Sequence, residues 1–174
     1  MKPKKKNNWL LSFFISCFLF AGCGYHLVGM GSSLPSHLKT IFIPVFKNTS
    51  SQPEIHRELT SAVLKSFISD GRLKVAKKDN ADLRMDATLT YYKKRNVSFG
   101  SQDLVSNIII EVEIELKVTD LIKNEILMEE KLKTQWDYIS ASDIATTERA
   151  RLEALDLGFQ DLGRRLVSLL IDQF

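Results

Sequence analysis

Cysteine is almost absent from the 174-residue chain: Cys17 and Cys23 are the only two, too few for a disulfide framework. With four prolines and eight glycines, collagen-like repeats and Gly/Ser linker arrays are excluded. A hydrophobic content of 44% supplies enough apolar side chains for a core, which excludes a disordered chain. The three histidines, His26, His37 and His56, are widely spaced and form no metal-ligand set with Cys, Asp or Glu. There is no G-x-S-x-G, no glycine-rich phosphate loop and no H-E-x-x-H. An enzyme built on a nucleophile, a nucleotide or a zinc ion lacks its residue pattern here, so neither catalysis nor a cofactor is expected.

Acid is missing at the start, where no Asp or Glu occurs before Glu54 while Lys2, Lys4, Lys5 and Lys6 crowd the first six residues. The formal charge of +3 is therefore a property of the leader: without residues 1–22 the count is 20 basic against 21 acidic, about −1. A nucleic-acid binder working through phosphate neutralisation keeps a basic excess on its folded part. No nucleic-acid partner is expected.

A long apolar run is also lacking. Residues 9–21 (WLLSFFISCFLFA) are apolar over 13 positions apart from two serines, whereas a bilayer-spanning helix needs roughly 20. Basic residues, a short apolar stretch and then small residues match a secretory signal. Phe20-Ala21-Gly22-Cys23 resembles a bacterial lipobox, with Phe20 where such boxes usually carry Leu. Lipidation at Cys23 would put diacylglycerol and a fatty acyl group on the mature N-terminus, a stable attachment because more than one chain is involved. Gly24 after the Cys, in place of Asp, is similar to lipoproteins sent to the outer membrane. Two other readings of the segment are a plain signal peptide leaving Cys23 as a thiol, and an uncleaved anchor.

After a lipidated arm over 23–39, residues 40–174 read as one domain. Residues 40–47 (TIFIPVFK) suit a strand in which Pro44 favours an edge or a bulge. Ile55, Leu59, Val63 and Phe67 recur every four residues, which predicts an amphipathic helix with Pro53 near its first position and its end at Asp70-Gly71. A brief strand over 72–77 follows. Three stretches then alternate with period 2: Leu83, Met85, Ala87, Leu89 and Tyr91; Ile108, Ile110, Val112, Ile114, Leu116 and Val118; Ile126, Met128, Leu132, Trp136 and Tyr138.

Short connections make these an antiparallel meander. In the last hairpin, opposite residue numbers summing to 246 set Lys117 against Glu129, Glu115 against Lys131 and Glu113 against Lys133. A sum of 244 opposes Glu115 to Glu129. The register is therefore 246, with a bulge at Glu130, which otherwise points inward. A helix over about 144–173 closes the chain, capped by Ser140, Ser142 or Asp143, with Leu152, Leu155, Phe159, Leu162 and Leu166 in one stripe. The order β-α-β-β-β-β-α predicts an α+β two-layer sandwich: a mainly antiparallel, four- to five-stranded sheet with two helices on one face.

One cluster invites a ligand. Lys93, Lys94 and Arg95 stand in a row on a hairpin that also carries Phe99, and cations beside an aromatic ring suit an anionic amphiphile. A solvated hairpin tip is the plainer explanation.

Taken together, Cys23-Gly24-Tyr25-His26-Leu27, Leu34-Pro35, the strand Ile41-Phe42-Ile43-Pro44-Val45-Phe46-Lys47-Asn48, Asp70-Gly71-Arg72-Leu73, Ala81-Asp82, the meander and the last helix resemble the LptE-type lipopolysaccharide-assembly lipoproteins of Gram-negative outer membranes. The resemblance implies a non-catalytic partner that sits inside an LptD-type β-barrel as a plug, helps it assemble and contacts lipopolysaccharide. The competing expectation is a free-standing envelope lipid-binding lipoprotein without a barrel partner, which needs a large apolar cavity between sheet and helices.

Overall fold

The computed structural model describes residues 34–97 and 107–172. Cys23, Phe99 and the proposed signal segment lie outside them. Period 2 becomes three long strands: β4 (Leu83–Val97), β5 (Asn107–Asp120) and β6 (Glu125–Ile139), each antiparallel to the next. The charge argument selects the observed register, since Lys117 faces Glu129, Glu115 faces Lys131 and Glu113 faces Lys133.

Before the meander, Pro44 divides the expected first strand into β1 (Thr40–Phe42) and β2 (Lys47–Asn48). Proline has no N–H to give a ladder, so the chain leaves the sheet there and returns. Both pieces run parallel to β4 and pair with it. β3 (Lys74–Val75) pairs with β1. Among the described residues the sheet thus has six strands in the order β3-β1-β4-β5-β6, with β2 beside β4; it is mixed, one strand richer than expected, and β1 lies inside it.

Two bulges shift the alternation. An extra residue at Thr90 turns Tyr91 to the outer face and buries Tyr92 in its place. The second lies at Leu127, not Glu130, so Ile126 points outward and is 53% exposed. Glu130 stays in register opposite Leu116 on the edge strand and is exposed there.

Helix α1 (Ile55–Asp70) ends where expected, with Gly71 at φ 75 donating its N–H to the Phe67 carbonyl. Its N-cap is Glu54, so Pro53 stands just outside the helix instead of at its first position. Helix α2 (Ile144–Asp172) is capped by Asp143, whose Oδ1 accepts the Thr146 N–H at 2.8 Å. Both helices bury their stripes in one core with the inward residues of the sheet, except that Leu152, expected in the stripe of α2, is 45% exposed because the buried side of that turn is taken by Arg151. Neither is long and apolar enough to cross a membrane.

The two glycines of α2 serve different contacts. A Cβ on Gly158 would run into the Trp136 ring of β6, and one on Gly163 would meet Ser66 Oγ and the Ala62 carbonyl of α1. Gly158→Ala is therefore expected to lower stability by about 1 kcal/mol in urea denaturation, since overpacking costs about 1–3 kcal/mol and the gain in helix propensity returns only about 1.

Candidate functional site

The β4–β6 face turned away from the helices carries as many cations as anions, in rows set by strand period. Lys131 reaches Glu113 at 3.7 Å and Glu115 at 3.6 Å; Lys133 reaches Glu113 at 3.4 Å and Glu111 at 3.8 Å. Lys117 pairs with Glu129 at 3.2 Å, and Arg84 with Asp86 at 2.7 Å. Lys133 also sits 5.8 Å from the Tyr91 ring centroid. The connection through Pro44 and the 63%-exposed Val45 walls one side of a groove of about 700 Å³ on this face. Such a surface is polar, neutral on balance and regularly spaced, suited to a partner with charges of its own.

Sequence spacing placed Lys93, Lys94 and Arg95 in one row; the sheet separates them. Opposite residues share a face, so Lys93 and Arg95 lie on the outer side with Glu111 and Ile109, while Lys94 lies on the helix side with Ile110. Arg95 pairs with Glu111 at 3.5 Å. All three are exposed.

Near Lys94 lies a polar cluster that sequence reasoning missed. Arg151, on the buried side of α2 and 9% exposed, donates to the Tyr92 hydroxyl at 3.4 Å and to Glu148 at 2.5 and 2.8 Å. The hydrogen bond from Arg151 holds the Glu148 carboxyl below its usual range, and the Lys94 charge adds to this. Burial, then the neighbouring Tyr92, push the Tyr138 phenol up. The available signal was Arg151 itself, an arginine at a stripe position four residues before Leu155, with Glu148 one turn earlier to neutralise it.

At the other end of the sheet, His37 and Asp120 meet at 2.8 Å. Asp120 is fully buried and also accepts the Ile122 and Lys123 N–H groups at 2.8 and 3.0 Å. Asp82 Oδ2 collects the Lys39 N–H, the Thr40 N–H and the Thr40 hydroxyl at 2.8–2.9 Å. Burial opposes ionisation of both aspartates, but these donors outweigh it and hold both carboxyls below their ordinary values. His56 is within 3.4 Å of the Asn48 amide. Among the described residues no group of three or more His, Cys, Asp or Glu is placed to hold a metal ion.

The space between sheet and helices is filled: Leu155, Phe159, Leu162, Leu166 and Leu170 are at most 1% exposed. The larger groove, about 880 Å³, lies between α1 and α2 and is lined by polar residues such as Ser61, Lys65, Arg72 and Gln160.

The lipopolysaccharide-assembly family model, LptE, matches residues 38–173. No curated protein sequence matches the chain. A hypothetical protein of Chlamydia trachomatis is similar in structure with a TM-score of 0.53 at 13% identity, covering 76% of this chain and 95% of that one. A minor lipoprotein of Acinetobacter baumannii is similar with a TM-score of 0.51 at 10% identity, covering 76% and 90%. At such identities the likeness is one of fold.

Proposed function

We propose that this chain, which belongs to the LptE lipopolysaccharide-assembly family, is a non-catalytic lipoprotein of the outer membrane, anchored through acylated Cys23, that assembles with and plugs an LptD-type β-barrel and takes part in delivering lipopolysaccharide. The family match across nearly all of the mature chain carries this reading. The paired charges of the outer sheet face support it, because a polar barrel lumen offers partners to such a surface and a hydrocarbon layer does not. The filled core weighs against the free-standing lipid carrier, which needs an apolar cavity where Phe159 and Leu162 stand. The placement of Lys93 and Arg95 on one face and Lys94 on the other means that an anionic amphiphile would meet the hairpin on either side of the sheet.

The test is co-purification. The chain is tagged after Phe174, outer membranes are extracted in mild detergent, and the stoichiometric partner is identified. A large β-barrel protein is expected; recovery of the lipoprotein alone or with lipid would overturn the plug. Reversal of Lys93, Lys94 and Arg95 to Glu is expected to weaken lipopolysaccharide capture at least several-fold, read per barrel complex recovered. Unchanged capture would remove these three residues from the candidate contact.

A further inference from the structure

We infer that the β5–β6 turn and the lysines around it dock on the bilayer surface as a second membrane contact beside the lipid anchor, an inference that rests on the lipidated Cys23 of the reading above. Turn tips are ordinarily built from Gly, Asn, Asp and Ser. Here Asn124 takes the left-handed conformation at φ 56, as that residue tolerates, but the tip is led by Leu121 and Ile122, 39% and 57% exposed. The outward flip at the Leu127 bulge adds Ile126 at 53%. Three aliphatic side chains thus face solvent at one corner.

The corner is braced. Asp120 accepts the Ile122 and Lys123 N–H groups, and the Leu121 N–H donates to the Asp82 carbonyl at 2.7 Å. The backbone of the turn is held against the sheet, so its aliphatic groups stay presented instead of folding back.

The place where the arm joins the domain says what covers this corner. His37 is tied to Asp120, and Lys39 and Thr40 to Asp82, so the arm enters at the same end of the sheet as the turn. Only ten residues separate Cys23 from Leu34. At full extension they reach at most ~40 Å, which puts this end of the sheet, where the tether attaches, within reach of the bilayer that holds the acyl chains. Exposed cations occur on the segments that meet at this end of the sheet: Lys123 on the turn, Lys39 on the arm, and Lys77 and Lys78 on the connection from β3 to Asp82, with Asp79 and Glu125 the exposed acids beside them. Among the described residues Lys39, Lys77 and Lys78 form no ion pair, and Lys123 meets only Glu125, at 3.5 Å. The half-buried carboxylate of Asp82 and the buried one of Asp120 are already engaged by internal donors. An apolar tip at the same end of the sheet as Lys39, Lys77 and Lys78, which form no ion pair among the described residues, is complementary to anionic headgroups over an acyl layer.

The experiment uses the full lipidated protein in vesicles of phosphatidylethanolamine and phosphatidylglycerol. A polarity-sensitive fluorophore is placed on Ile122→Cys or, as the control on the outer face, on Gln135→Cys, with a quencher on the acyl chains. Expected are a blue shift and several-fold greater quenching at position 122. That difference should shrink in phosphatidylcholine vesicles and in the Lys39→Glu, Lys77→Glu, Lys78→Glu variant. Flotation of the same samples reads the anchor separately: protein that fails to float overturns the lipidation on which the inference rests. Floating protein without quenching at 122 overturns the turn contact alone. A blue shift without acyl-chain quenching means that protein covers the corner and also overturns it. Quenching that ignores headgroup charge and the lysine variant would overturn the role given to the cations.

Discussion

Replacing Asp120 with Ala is expected to destabilise the domain by about 3 kcal/mol, because removing one member of a buried polar pair strands its donors. The carboxylate is fully buried and receives the His37 ring at 2.8 Å and two backbone N–H groups. Without it the Ile122 and Lys123 amides lose their acceptor and the arm loses one of its two ties to the sheet, that through Asp82 remaining. Urea denaturation at neutral pH reads the loss, and a change under ~1 kcal/mol would show that water replaces the carboxylate at little cost.

The pH dependence has a definite sign. The folded-state pKa of Asp120 is lowered, as is that of Asp82, so their contribution is fully present above the unfolded value near 4 and is lost as pH falls through the folded pKa. The wild-type chain should weaken below about pH 4, and Asp120→Asn should flatten that acid limb while costing stability at neutral pH. A limb equally steep in the variant would place the acid sensitivity elsewhere.

Phe159→Ala is the other large effect, expected at about 3–5 kcal/mol. The ring is 1% exposed and meets Trp136 edge-on, with centroids 5.8 Å apart. Gly158, the neighbouring residue, lets the helix backbone approach that indole, so collapse around the cavity is limited by backbone already in contact. Denaturation midpoints measure the loss, and quenching of Trp136 fluorescence should rise as solvent reaches the ring. A loss below ~1 kcal/mol would mean that α2 shifts to fill the space.

The contrast with the outer face is instructive. Its ion pairs have one partner in solvent, Lys131 and Lys133 being about 60% exposed while Glu113 between them is 21% exposed. Each such pair contributes at most ~1 kcal/mol. Those same charges nevertheless made the β5–β6 register legible, because a shift by two residues sets Glu115 against Glu129. Weak interactions chose among alternatives without holding much of the fold together.

Bulges were not legible. Reading a strand by alternation assumes that each residue advances the pattern by one, so an inserted Thr90 or Leu127 silently exchanges the two faces beyond it. For this reason Tyr92 and not Tyr91 meets Arg151, and Ile126 joins the exposed corner. Pro44 announced a break in its strand but not the parallel pairing of both halves with β4, which depends on where α1 returns the chain.

From sequence alone come the class of the fold, the two amphipathic helices, the three long strands, the hairpin register and the family, because each rests on local periodicity, on charge pairs a few residues either side of a turn, or on short motifs in fixed order. Tertiary structure alone decided that His37 and Asp120, 83 positions apart, share a hydrogen bond, that a bulge puts Lys93 on the outer face and Lys94 on the helix side, and that exposed aliphatics gather where the arm enters. Those outcomes depend on which distant segments become neighbours and on single-residue shifts in strand parity, and neither leaves a periodic trace in the order of residues.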